Sequence, residues 1–145
     1  MRLTFPPAYV RMLSLTVTLG LTPAAHADED AMRAMRLTSA DLALMLTNVC
    51  VATDPSSSLT WGTSPEAIRA VTQRVKDRAS NGLSEGQLLA VLRRAADTAR
   101  AIALQEVGAL YDSDPARERS RTLAWCAGPV RSTIENFMKE NAMGR

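Results

Sequence analysis

Apolar residues recur three or four positions apart along most of the chain, which is the spacing expected for one face of an α-helix. The first clear stripe consists of Leu42, Met45, Leu46 and Val49. Ser39 precedes this stripe, and a serine hydroxyl at that position can accept a hydrogen bond from a free backbone N–H of the first helical turn. We therefore predict a helix that begins after Ser39, with residues 31–36 as a backward extension of it.

A second helix is predicted to begin after Ser64. Residues 53–58 before it are rich in serine and contain a proline, which is typical of a loop. Ser64 at the cap and Pro65 at the first helical position are both favourable at a helix N-terminus. The Asn-Gly pair at 81–82 predicts the end of the helix. The apolar stripe between these limits consists of Ile68, Val71, Val75 and Ala79.

A third, longer helix is predicted to begin after Ser84. Gln87 stands three residues later, where its side chain can bond back to the backbone of the cap residue and form a capping box. The apolar stripe consists of Leu88, Leu92, Ala95, Ala96, Ala99, Ile102, Ala103, Val107 and Leu110. Because alanines allow a neighbouring helix to approach closely, we expect this helix at the centre of a bundle.

The last helical region is predicted to begin at Asp114, with Pro115 at the first helical position. Its apolar stripe consists of Leu123, Ala127, Val130, Ile134, Phe137 and Met138. Pro129 interrupts this stripe, and because a proline inside a helix removes one hydrogen bond, we expect a kink or a short break there. No segment after residue 27 shows the alternation of a strand. The predicted fold is therefore all-α, a small bundle of four to five helices.

The beginning of the chain has the pattern of a secretory signal peptide. An apolar run at residues 12–21 follows Arg2 and Arg11, and Ala25 and Ala27 place small residues three and one positions before a cleavage site. The apolar run has about ten residues, whereas a membrane-spanning helix needs roughly 20. We therefore predict cleavage after Ala27 and no stable membrane span.

Cleavage divides the chain into a signal peptide, residues 1–27, and a single helical domain, residues 28–145. The full chain has 17 Lys and Arg against 15 Asp and Glu. The signal peptide contains two arginines and no acidic residue, so the domain has 15 residues of each sign and no net charge. Nucleic-acid binding rests on an excess of clustered basic charge, so we expect no nucleic-acid partner. The expected location is periplasmic or secreted.

The same cleavage removes His26, the single histidine of the chain. Without an imidazole, the domain cannot use a Ser-His or Cys-His nucleophile and has no histidine ligand for zinc or haem. No catalytic residue, cofactor or metal site is predicted on this basis, and we do not expect an enzyme.

Two cysteines, Cys50 and Cys126, lie far apart in the sequence, which excludes a CxxC redox pair. In an exported protein, an even number of cysteines favours a structural disulfide. We predict that Cys50 and Cys126 form one, which would join the first predicted helix to the last helical region. Two free buried thiols are the alternative.

Four further positions are candidates for function. Asp112 and Asp114 alternate as in a calcium loop, but the remaining ligands of that motif are missing, and a helix cap explains both residues. Arg117 and Arg121 are four residues apart near a helix N-terminus and therefore share a face. This face is either solvated or binds an acidic partner.

The aromatic residues are few, so each tryptophan has a structural and a functional interpretation. Trp125 precedes Cys126 and is expected in the core. Trp61 lies in a polar loop outside every apolar stripe, so it either packs at the edge of the bundle or anchors a partner protein. Glu106 lies beside the apolar stripe of the third helix, where an ion pair with Arg or Lys is expected and a catalytic role is the alternative.

Together these observations predict an exported helical protein, joined by one disulfide, that binds another envelope or secreted protein. Inhibitor, immunity factor, chaperone and accessory subunit are the roles that fit. The predicted partner-binding residues are Trp61, Arg117 and Arg121. A binder of a small apolar ligand within the bundle is the first alternative, suggested by the alanines of the third helix. An enzyme that uses only carboxylates is the second.

Overall fold

The computed structural model describes residues 21–142, with side chains from residue 26 onward, and this part of the chain is helical without strands. The prediction of an all-α fold is confirmed. The described residues form five α-helices: α1 (Leu21–Thr53), α2 (Pro65–Ser80), α3 (Glu85–Gly108), α4 (Pro115–Trp125) and α5 (Arg131–Ala142). A short 3₁₀ helix, Ser57–Trp61, precedes α2, and a π-helical segment, Cys126–Val130, joins α4 to α5.

The described part of the chain divides into two units, with the boundary between Arg33 and Ala34. The first unit is helical from Leu21, and Glu29 there forms an ion pair with Arg33 at 3.5 Å. Most of the predicted signal peptide, residues 1–20, lies outside the described residues. The second unit contains the core and the sites discussed below.

The predicted start of the first helix after Ser39 is wrong, because α1 already begins at Leu21. The hydroxyl of Ser39 donates a hydrogen bond to the carbonyl of Met35 at 3.0 Å, so it acts within the helix rather than as its cap. Asp41 lies within the same helix. Its carboxylate is nearly buried and pairs with Lys76 of α2 at 2.6 Å, which links the two helices. The backward extension over residues 31–36 is confirmed.

By length and composition, the part of α1 from His26 to Thr53 could cross a membrane. A core helix of a globular protein meets the same criteria, as does a signal sequence. In the second unit, one face of α1 is buried among the other helices through Ala40, Ala43, Leu46 and Cys50.

The predicted N-termini of the next three helices are confirmed by their capping bonds. The Ser64 hydroxyl accepts from the backbone N–H of Ala67 at 3.1 Å. Ser84 and Gln87 form the predicted capping box, in which the side chain of each accepts from the backbone N–H of the other. The carboxylate of Asp114 caps α4. These caps satisfy N–H groups that would otherwise lack partners at the helix ends.

The main core lies where α1, the 3₁₀ helix, α2, the π-helical segment and α5 meet. Its large buried side chains are Leu46, Trp61, Ile68, Val71, Val75, Trp125, Val130, Ile134 and Phe137. A smaller cluster forms around Leu37, Ala79 and Ala95, between α1, α2 and the first half of α3.

The expected central position of α3 is wrong. Its buried residues are three alanines, Ala95, Ala99 and Ala103. Leu89 and Leu104 of the same helix are 58% and 66% exposed. The alanines allow neighbouring helices to approach α3 closely on one side. The core is built mainly by other helices, and α3 lies along its edge.

Pro129 produces a change of helix type rather than a break. The backbone N–H of Arg131 bonds to the carbonyl of Cys126, five residues earlier, as in a π-helix. Backbone angles on either side stay in the right-handed helical region, so α4 and α5 remain connected through helical backbone. Ala127, placed in the apolar stripe by α-helical spacing, is exposed in this segment, and that assignment is wrong.

Candidate functional site

Cys50 of α1 and Cys126 of the π-helical segment form a disulfide, as predicted. Their Cα atoms are 5.7 Å apart, within the range that a disulfide requires. Both residues are completely buried, and no free cysteine is present. The bond is therefore structural, and it indicates that the protein folds in an oxidising compartment.

Trp61 lies beside this disulfide and is only 2% exposed. Its indole N–H donates to the carbonyl of Cys126 at 3.1 Å. The prediction of Trp61 as a surface anchor for a partner is therefore wrong, and the packing alternative is correct. The polar residues around Trp61 suggested a loop, but they fold into the 3₁₀ helix, which turns the indole toward the core.

The segment before the 3₁₀ helix is held by Asp54. One oxygen of its carboxylate accepts from the hydroxyl and the backbone N–H of Ser56, at 2.7 and 2.9 Å. These hydrogen bonds lower the pKa of Asp54 below its ordinary value, and the charge of Arg119 lowers the pKa further. Asp54 is therefore a local structural carboxylate, ionised at neutral pH.

Trp125 is nearly buried in the core, as expected. Its indole N–H donates to the carboxylate oxygen Oε2 of Glu106 at 3.2 Å. The predicted ion pair of Glu106 with Arg or Lys is not formed: no ion pair of Glu106 occurs among the residues with described side chains. The two residues are 19 positions apart on different helices, so no local pattern pointed to this contact.

Glu106 and Trp125 lie on the wall of a partly open groove of about 160 Å³. Leu42 and Leu46 of α1 form one side of the groove, and Ile102 and Glu106 of α3 form the other. The walls are therefore apolar apart from one carboxylate.

The floor of the groove comes from the π-helical segment and the first turn of α5, through Pro129, Val130 and Thr133. The Thr133 hydroxyl is already used, because it donates to the carbonyl of Pro129 at 3.0 Å. Irregular π-helical turns inside helices are frequent at functional sites. The groove therefore combines an irregular backbone segment, an apolar lining and one acidic group.

Arg117 and Arg121 lie together on the surface of α4, as their spacing predicted. Both guanidinium groups pair with the carboxylate of Asp112, at 3.4 and 3.1 Å, and Arg117 also reaches Asp114 at 3.3 Å. The Asp112 side chain is only 10% exposed, whereas those of Arg117 and Arg121 are 65% and 53% exposed. A nearly buried acid therefore orients two exposed arginines. Trp61 contacts the disulfide instead, so the three predicted partner-binding residues do not form one site.

An exposed apolar strip leads toward these arginines from the end of α3. Leu104, Val107 and Tyr111 are 66%, 36% and 72% exposed. Leu104 and Val107 are three residues apart on one helical face. Tyr111 follows the helix, and its carbonyl accepts a hydrogen bond from Arg121 at 3.4 Å. The apolar stripe of the third predicted helix includes Val107 as a core residue, and that assignment is wrong. Leu104 belongs to no predicted site.

The described residues contain no group of three or more His, Cys, Asp and Glu that could hold a metal ion. The carboxylate of Asp112 instead accepts from the backbone N–H of Asp114 at 2.9 Å, and Asp114 caps α4. No family model, curated protein or solved structure matches this chain. The functional argument therefore rests on the geometry above.

Proposed function

We propose that this is an exported helical protein that binds another protein of the cell envelope or the extracellular space. The observation that carries the proposal is the exposed strip of Leu104, Val107 and Tyr111 next to the oriented arginines of α4. Inhibitor, immunity factor, chaperone and accessory subunit remain the roles that fit.

Export is supported by two independent features. The disulfide between Cys50 and Cys126 favours an oxidising compartment. The charged, apolar and small-residue order of residues 1–27 is typical of a cleaved signal peptide. On this proposal the functional protein is residues 28–145, located in the periplasm or secreted.

The chemistry of the surface indicates what kind of partner it binds. Leu104 and Tyr111 present apolar area, and tyrosine is enriched among residues that dominate binding energy. Arg117 and Arg121 each have five N–H donors, more than Asp112 and Asp114 use, so donors remain for carboxylates of a partner. Because Asp112 already orients both guanidinium groups, little side-chain entropy is lost on binding. The proposed partner surface is apolar with acidic residues beside it.

Partner capture with surface variants tests this proposal. Residues 28–145 are immobilised and exposed to an envelope extract, and the retained protein is identified, purified and titrated. Leu104→Ser combined with Tyr111→Ser is expected to weaken binding about 30-fold or more, the scale of a hot-spot loss. Leu89→Ser is the matched control, because Leu89 is a similarly exposed leucine at the other end of α3. It is expected to leave the affinity unchanged.

Two outcomes would overturn the proposal. One is that the amount of every retained protein fails to rise with the amount of immobilised chain. The other is that the retained protein binds the double variant as tightly as the unmodified chain. Circular dichroism of every variant ensures that a loss of binding is not a loss of folding.

A small-ligand function is the second candidate, favoured by the groove at Glu106. The carboxylate-dependent enzyme has less support, because Glu106 is the one acidic residue among the residues that line this groove. General acid and base catalysis on a glycan needs a second placed carboxylate.

A further inference from the structure

Glu106 is exposed, and it is the one acidic residue among the mostly apolar residues that line the groove. Its Oε2 atom accepts from the indole of Trp125, and this is its one side-chain hydrogen bond or ion pair among the described residues. The second oxygen, Oε1, remains available as an acceptor. The carboxylate contributes a negative charge to the groove, and no Lys or Arg is among the described residues that line it.

The rest of the groove is suited to hydrocarbon. Leu42, Leu46 and Val130 line it, and its volume is about 160 Å³. A cavity of about 150 Å³ in another protein accommodates benzene, so six carbon atoms are a reasonable size for an occupant here. One opening of the groove faces solvent, because Glu106 and Thr133 are exposed.

Charge and lining together restrict the occupant. A neutral hydrocarbon would displace water from the Glu106 carboxylate without replacing its hydrogen bonds, which is unfavourable. A metal ion would find one carboxylate, fewer ligands than a metal site needs. An organic cation suits both the carboxylate and the apolar lining, because its charged end pairs with Glu106 while its hydrocarbon contacts the leucines.

We propose that this groove binds a small organic ammonium ion with a hydrocarbon body of about six carbons. The ammonium group donates to Oε1 of Glu106, while Trp125 holds Oε2 in place. The hydrocarbon lies against Leu42, Leu46 and Val130. This site is separate from the protein-binding surface proposed above and does not depend on it.

The two indole N–H groups provide the measurement. Cyclohexylamine, protonated at neutral pH, is titrated into ¹⁵N-labelled residues 28–145, with cyclohexanol as the neutral ligand of the same shape. Cyclohexylamine is expected to shift the Trp125 indole resonance saturably, with a Kd of about 1–10 mM for a ligand of this size. Trp61 serves as the internal reference and should not shift, because its indole bonds to the carbonyl of Cys126 and it is not among the residues that line the groove.

The charge is tested by comparing ligands and variants. Cyclohexanol is expected to bind more weakly by up to about fivefold, the upper end of the range for an exposed ion pair. Glu106→Gln keeps an acceptor for Trp125 but removes the charge, so it should abolish the preference for the amine. Glu135→Gln, at an exposed glutamate of α5, is the matched control and should retain it.

The ammonium group can belong to a free amine or to a lysine side chain of a partner. Nα-acetyl-lysine amide separates these sources, since tighter binding than cyclohexylamine assigns the site to a lysine side chain and weaker binding to a free amine. The proposal is overturned if neither cation shifts Trp125, or if cyclohexanol binds the unmodified protein as well as cyclohexylamine. That comparison needs no variant, so it holds even if Glu106→Gln fails to fold.

Discussion

Around the disulfide the chain buries its largest side chains, whereas the fully buried residues of α3 are all alanines. Trp61, Cys126 and Ile134 are at most 2% exposed and belong to the same core cluster. On α3, the buried residues are alanines, Leu89 and Leu104 are exposed, and Leu92 is half-buried. Since the stabilisation from burial scales with apolar area, the disulfide end carries most of the stability.

This difference assigns separate tasks to the two regions. At the disulfide end, the buried Trp61 indole has an internal partner, the Cys126 carbonyl. The α3 side keeps apolar side chains, a carboxylate and two arginines available at its surface. Both proposed binding sites include residues of α3 or of the turn that follows it. Three sets of substitutions test whether stability and surface chemistry are separated in this way.

The largest effect is expected from removing the disulfide. Cys50→Ala combined with Cys126→Ala should lower the free energy of unfolding by about 4–5 kcal/mol, because the bond restricts a long loop of the unfolded chain. That loop spans 76 residues. Urea denaturation checks the value, and helical circular dichroism should persist at low temperature because the apolar stripes remain. An unchanged midpoint would show that the disulfide end is not the stable region.

Trp61→Ala is expected to have the next largest effect, about 3–5 kcal/mol of unfolding free energy, as for other buried aromatic residues. Trp61→Phe keeps most of the ring area and loses the bond to Cys126, so about 0.5–1.5 kcal/mol is expected. Leu104→Ala, on the exposed side of α3, should stay within about 0.5 kcal/mol of the unmodified protein. Equal effects for Trp61→Ala and Leu104→Ala would contradict the contrast between the regions.

A smaller effect is expected from enlarging an alanine of α3. Ala99 is completely buried, so Ala99→Leu should destabilise the protein by about 1–3 kcal/mol through overpacking. Ala101→Leu on the exposed face is the control and should be close to neutral. The midpoint of thermal unfolding distinguishes the two variants. If both are neutral, α3 is held more loosely than its buried alanines indicate.

The sequence was sufficient to predict the structure where the contacts that determine it join residues close together in the chain. A helix cap acts over three residues, so the starts of α2 and α3 at Ser64 and Ser84 could be predicted. The same reasoning failed at Ser39, because a serine hydroxyl can also bond backward to a carbonyl within a helix. Local chemistry alone does not distinguish these two uses.

Contacts between distant segments could not be predicted. The acceptor for Trp61 lies 65 residues away, at Cys126. The partner of Glu106 lies on a different helix, and the groove requires α1, α3 and the π-helical segment together. The disulfide is the exception. A chain with two cysteines in an oxidising compartment has a single possible internal pairing, so Cys50 and Cys126 could be paired from the sequence.

The π-helical segment also changes how the chain between α4 and α5 tolerates a change of length. A turn that bonds five residues back holds one residue more than a turn that bonds four residues back. If one residue were lost at Ala127 or Gly128, the segment could close as an ordinary α-helical turn, and α5 would keep its orientation about its axis. Ile134 and Phe137 would then stay in the core. In related sequences, both substitutions and a one-residue gap should therefore be tolerated at these exposed positions, whereas a one-residue gap between Ile134 and Phe137 should be absent.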